Sequence, residues 1–124
     1  MLLPLNTQKN NFHRRILEII RNLPPLNKLS SKELDLLAIL MKQQIEYNYL
    51  LADQRRLIIF SVENKTKLAQ EINCTRNSLN IYLSKFTKLK ILNHNKELIP
   101  LLHIPYGDFS ITFKLTINEV NTQN

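Results

Sequence analysis

Glycine is almost missing from this chain: among 124 residues there is one, Gly107. A glycine-rich loop that cradles phosphates cannot be built from it, which excludes P-loop and Rossmann-type nucleotide sites. A single cysteine, Cys74, leaves no internal disulfide and no cysteine cage for zinc. Tryptophan is absent, and Tyr47, Tyr49 and Tyr82 do not form the stacking pattern of single-strand binders. The longest apolar runs, such as Leu57-Ile58-Ile59-Phe60, are too short to cross a bilayer, so no membrane partner is expected. Met1-Leu2-Leu3-Pro4-Leu5-Asn6 lacks the basic start and sustained apolar core of a secretory signal, which points to a reduced, cytoplasmic protein. His13, His94 and His103 lie in separate segments without metal-ligand spacing, and no two of Asp35, Asp53 and Asp108 belong to a shared motif. The expectation is therefore a non-enzyme with no catalytic residues, no metal and no cofactor.

What the chain does have is positive charge. Lys and Arg total 17 against 10 Asp and Glu, a net charge of +7. Apolar residues make up 44% and charged residues 22%, the balance of a globular domain rather than a disordered tail. So basic a domain favours a polyanionic partner, nucleic acid first and an acidic surface second.

Residues 1–11 read as a polar arm. From Phe12 to Leu23 the apolar residues follow helical spacing, with Asn11 as a cap and Pro24-Pro25 as the stop. Ser30-Ser31-Lys32-Glu33 has the form of a capping box and opens a second helix with an apolar stripe through Leu34, Leu37, Ile39, Leu40 and Met41. Residues 43–56 fit either a continuation of that helix or an insertion, and Leu57–Phe60 fits a strand or a tight helical end. Ser61 caps a helix to about Ile72, with Lys65, Leu68, Ala69 and Ile72 in register. Thr75 caps another to about Leu89, burying Leu79, Leu83 and Phe86. Ile91–Ile99 reads as a hairpin about His94-Asn95, and Pro105-Tyr106-Gly107-Asp108 as a turn. Phe109–Ile117 alternates apolar and polar residues as a half-buried strand does, and residues 118–124 form a polar tail.

The order helix, helix, turn, helix, strands, together with Lys67-Leu68-Ala69-Gln70-Glu71-Ile72-Asn73-Cys74-Thr75-Arg76-Asn77-Ser78-Leu79, resembles the winged-helix DNA-binding proteins. The resemblance spans roughly residues 30–117. It implies an α+β, mainly helical fold: a winged helix-turn-helix with a C-terminal β-hairpin or small antiparallel sheet. Residues 1–27 would then be an arm and short helix, 28–117 the winged helix-turn-helix domain, and 118–124 the tail. Leu68, Ala69 and Ile72 would face the core, Asn73 would take the left-handed turn position, and Cys74 would fill a small buried site. Leu83–Leu92 resembles the passage from recognition helix into wing, but it carries Lys90 where the family commonly has Gly.

With Leu79, Leu83 and Phe86 inward, the recognition helix turns Asn77, Asn80, Ile81, Ser84 and Lys88 outward, with Lys85 on their flank and Arg76 in the first turn. Asn and Arg suit adenine and guanine edges, and Ile81 a thymine methyl. Lys85, Lys88, Lys90 and Lys96 would meet phosphates. The expected partner is double-stranded DNA, bound by a homo-oligomer acting as a regulator or replication accessory. The abundance of Asn, Ile, Lys and Leu suits an AT-rich genome such as many bacteria and phages have. The alternative is a non-enzymatic assembly component of a phage particle that contacts other virion proteins, with the 109–117 strand pairing against a neighbour's sheet edge. The bland reading is a solvated helix face whose Lys85 and Lys88 complement the helix dipole.

Overall fold

The computed structural model describes residues 7–108, 110 and 117. Five helices carry the fold: α1 (Phe12–Ile20), α2 (Ser31–Glu46), α3 (Ala52–Ile59), α4 (Val62–Glu71) and α5 (Arg76–Lys88). Short 3-10 turns lie at Lys9–Asn11, Leu26–Lys28 and Pro100–Leu102. One apolar core runs from Ile16 in α1 through Leu34, Leu37 and Met41 of α2 and Leu68 of α4 to Phe86 of α5 and Leu102. Helix α1 therefore shares its core with the helices that follow.

Local chemistry explains the helix ends. At Ser30 the capping box forms as the sequence predicts: Glu33 N–H donates to the Ser30 hydroxyl at 3.2 Å, and Ser30 N–H donates to Glu33 Oε1 at 2.9 Å. Asn11, by contrast, makes no side-chain cap bond, and α1 ends at Ile20, before Leu23, whose position ahead of Pro24 disfavours helical geometry. The ambiguous stretch resolves into a break. Helix α2 stops at Glu46, and Arg55 gathers the carbonyls freed at the break, donating to Tyr47 O at 3.1 Å and Leu50 O at 2.9 Å. Residues Leu57–Ile59 are the end of α3, and of that helix only Ile59 is buried.

The α+β expectation fails. The described residues contain no strand and no sheet, only an isolated antiparallel bridge between Leu92 and Leu98. The reason lies in the two ends of this would-be hairpin. On one side, Ile91 and Leu92 both donate their N–H groups to Phe86 O at the end of α5, at 2.9 and 3.2 Å, so the Ile91 amide that would have paired with Ile99 is spent on the helix. On the other, Pro100 has no N–H to give and opens a 3-10 turn. What survives is a tight turn about His94-Asn95, closed by Lys96 N–H donating to Asn93 O at 2.9 Å, with the Asn93 side-chain oxygen accepting from Asn95 N–H at 2.8 Å and Glu97 N–H at 3.0 Å. The strand expected at Phe109–Ile117 lies outside the described residues, apart from Ser110 and Ile117. At Pro105–Asp108 the chain bends, and Gly107, with φ +117°, supplies backbone freedom that a side chain would resist.

The segment after the loop returns to α1. Buried His13 holds it through a 2.8 Å bond between Nε2 and Ile104 O, with Tyr106 packed against Phe12 and His13. Burial lowers the His13 pKa; the Ile104 carbonyl opposes that and Lys42 adds to it.

Candidate nucleic-acid interface

Helices α4 and α5 meet through a tight turn at Asn73, whose φ of 55° is the left-handed value the sequence predicts. Cys74 N–H donates to Ala69 O at 2.9 Å and Asn73 N–H to Gln70 O at 3.2 Å, the paired bonds of a Schellman ending. Thr75 then accepts from Ser78 N–H at 3.1 Å and starts α5. Cys74 itself is only partly buried, so it lines the core edge rather than filling a sealed site.

Helix α2 seats this unit through three polar ties. Lys32 Nζ donates to Asn73 O at 2.9 Å. Lys85 Nζ donates to Glu33 Oε1 at 2.8 Å. Gln43 and Asn64 exchange reciprocal amide bonds at 3.0 and 2.9 Å, and Asn64 also donates to Ile59 O at 2.6 Å. Burial favours the neutral form of Glu33, but hydrogen bonds from Lys85 and from the backbone and hydroxyl of Ser30, with the Lys85 charge, outweigh it. Its pKa is lowered.

At about 100° per residue, α5 sorts the expected site residues onto three faces. Asn77, Ile81, Ser84 and Lys88 form an exposed outer ridge, with Asn80 beside it, also exposed. Lys85 falls on the flank toward α2, and its ammonium is taken by buried Glu33. Lys85 thus fastens α5 to α2. Arg76 leans onto α4, with Nη1 3.4 Å from both Val62 O and the Thr66 hydroxyl. Lys90 is exposed with φ 61°, a left-handed geometry that favours glycine.

The opposite flank of α5 opens on a cleft of about 340 Å³ bounded by α4 and the 93–97 loop, and lined by Lys65, Asn80, Ser84, Thr87 and Lys96 over Phe60. The structure thus brings together Asn80, Ser84 and Lys96 of the expected set and adds Lys65 and Thr87. Lys65 had a signal in the sequence: a lysine in register with Leu68, Ala69 and Ile72 on the inward stripe of α4. Glu33 as the partner of Lys85, 52 residues away, had none.

Among the described residues, no group of His, Cys, Asp and Glu side chains could hold a metal ion, and no helix is long and apolar enough to cross a membrane. No family model, no curated protein and no solved structure matches this chain.

Proposed function

We propose that the chain binds double-stranded DNA by laying the outer ridge of α5 in the major groove. What supports this is the presentation of α5: a tight turn separates it from α4, Glu33 of α2 holds its Lys85 while Lys32 and Gln43 hold the turn and α4, and Asn77, Asn80, Ile81, Ser84 and Lys88 stand outward together. These side chains carry the donors, acceptors and methyl groups that base edges accept, and the net charge of +7 supplies attraction to the phosphates.

The test is a mobility-shift assay on mixed-sequence duplex at about 50 mM salt. Wild type should shift the duplex, and Asn77→Ala with Lys88→Glu should weaken binding by at least about tenfold. An unshifted duplex with wild type overturns the proposal. Lys85 is left alone in this test because it holds the fold.

A second reading, protein contacts within an assembly, draws on apolar residues along α3 and at the start of α4, where Leu51, Leu57 and Val62 are each about 70% exposed. Light scattering separates the two. If those residues join copies of the chain, Leu57→Asp should convert an oligomer to a monomer; a wild-type monomer removes this reading.

A further inference from the structure

The cleft beside α5 differs from the outer ridge in being concave and in gathering charge of one sign. Lys65 comes from the inner side of α4 and Lys96 from the loop, where a left-handed backbone, φ 58°, sets its side chain with Nζ 5.4 Å from the Phe60 ring centre. Asn80, Ser84 and Thr87 line the same wall of α5, and no carboxylate lines the cleft. Neither Lys65 nor Lys96 makes an ion pair among the described residues. Two ammonium groups, the Asn80 amide and the Ser84 hydroxyl line one cleft without a counter-charge and form a receptor for a compact, multiply accepting anion, while the Thr87 hydroxyl donates to Leu83 O at 3.2 Å.

We propose that this cleft is a phosphate site, in which Lys65 and Lys96 neutralise one backbone phosphodiester of the duplex while the Asn80 amide and the Ser84 hydroxyl donate hydrogen bonds to it. The assignment rests on the duplex-binding proposal above and adds to it the place where the strand is gripped and an unforeseen residue, Lys65. The cost of the arrangement in the free protein is visible in Lys65, whose pKa is lowered by burial first and then by the charges of Lys96 and Arg76. A bound anion relieves that repulsion.

The experiment measures duplex affinity across a salt series for wild type, Lys65→Ala with Lys96→Ala, and Lys65→Arg. Losing one phosphate contact should flatten the slope of log K against log salt by about 0.9 and weaken binding about tenfold near 0.1 M salt, equally for every duplex sequence. Lys65→Arg, which keeps the charge, should keep the slope. Thermal melts of the variants check that the fold is intact, and the double alanine variant should melt no lower than wild type. If wild type binds duplex and the double variant shows the same slope, the cleft assignment is overturned while duplex binding stands. If wild type binds no duplex, both fall. If in that case inorganic phosphate still shifts the Ser84 and Thr87 amide resonances, the cleft belongs to a free phosphate compound and the backbone assignment is overturned.

Discussion

Helices α4 and α5 end in the same geometry with different materials. Each closes on a left-handed residue, Asn73 at φ 55° and Lys90 at φ 61°. Each ending repeats the same bonds: Cys74 N–H to Ala69 O and Asn73 N–H to Gln70 O in the first, Ile91 N–H to Phe86 O and Lys90 N–H to Thr87 O in the second. The apolar pair that accompanies such an ending is small in the first, Ala69 with partly exposed Cys74, and large in the second, where Phe86 and Ile91 are fully buried. Asn tolerates the left-handed region far better than Lys. The second turn is held by packing strong enough to override an unsuitable residue, and the first by a residue suited to its backbone. Neighbouring residues of α2 tie both: Lys32 grips the Asn73 carbonyl, and Glu33 grips Lys85 in the last turn of α5.

The largest break in this comparison should come from the packing pair. Phe86→Ala should cost about 3–5 kcal/mol, as loss of a fully buried ring does, whereas Cys74→Ala should cost about 1 kcal/mol or less. Urea unfolding curves of the two variants measure the contrast, and equal losses would mean that both turns are held alike.

Acid should separate the turns next. The lowered pKa of Glu33 means that the unfolded chain binds its proton more tightly. The stabilising effect is whole above the ordinary carboxylate value of 4.5 and is lost as pH falls through the lower folded value. Glu33→Gln should remove that part of the acid dependence and cost about 1–2 kcal/mol near neutrality, the scale of a charge-assisted bond with a partly exposed partner. Amide exchange reads the asymmetry: in acid the Ile91 amide should lose protection before the Cys74 amide, because Lys32 holds Asn73 through a carbonyl that does not titrate.

Smaller effects follow from backbone strain alone. Lys90→Gly should stabilise the protein by about 1 kcal/mol by removing the left-handed penalty on a long side chain. Asn73→Gly should change stability by only a few tenths of a kcal/mol. Thermal or urea unfolding measures both, and a stabilisation at position 73 as large as at position 90 would erase the difference between the two residues.

How much of this was legible follows from the range of each interaction. Ser30 with Glu33, Ser61 with Asn64, Thr75 with Ser78 and the left-handed Asn73 all act within a few residues, so their letters suffice. The outward set on α5 follows from helical period once its core face is known. Three things were not legible. The break between α2 and α3 depends on Arg55 reaching back to the carbonyls of Tyr47 and Leu50, and nothing in the apolar pattern marks it. The hairpin shrank to one bridge because Phe86 O captured the Ile91 amide that would have paired with Ile99, and Pro100 has no amide to extend the other side. Lys85 looked like every other basic residue on α5 until α2, distant in sequence, supplied Glu33.

The Gln43–Asn64 pair fixes the attitude of α4 with two amides that bear no net charge. Added electrolyte screens exposed ions but leaves such a clasp untouched, and no proton enters or leaves it in the ordinary acid range. The seat of α4 is thus indifferent to salt and acid, whereas the Lys85–Glu33 tie of α5 answers to both. When Glu33 is protonated or its ion pair screened, α4 should therefore keep its place while the last turn of α5 loosens.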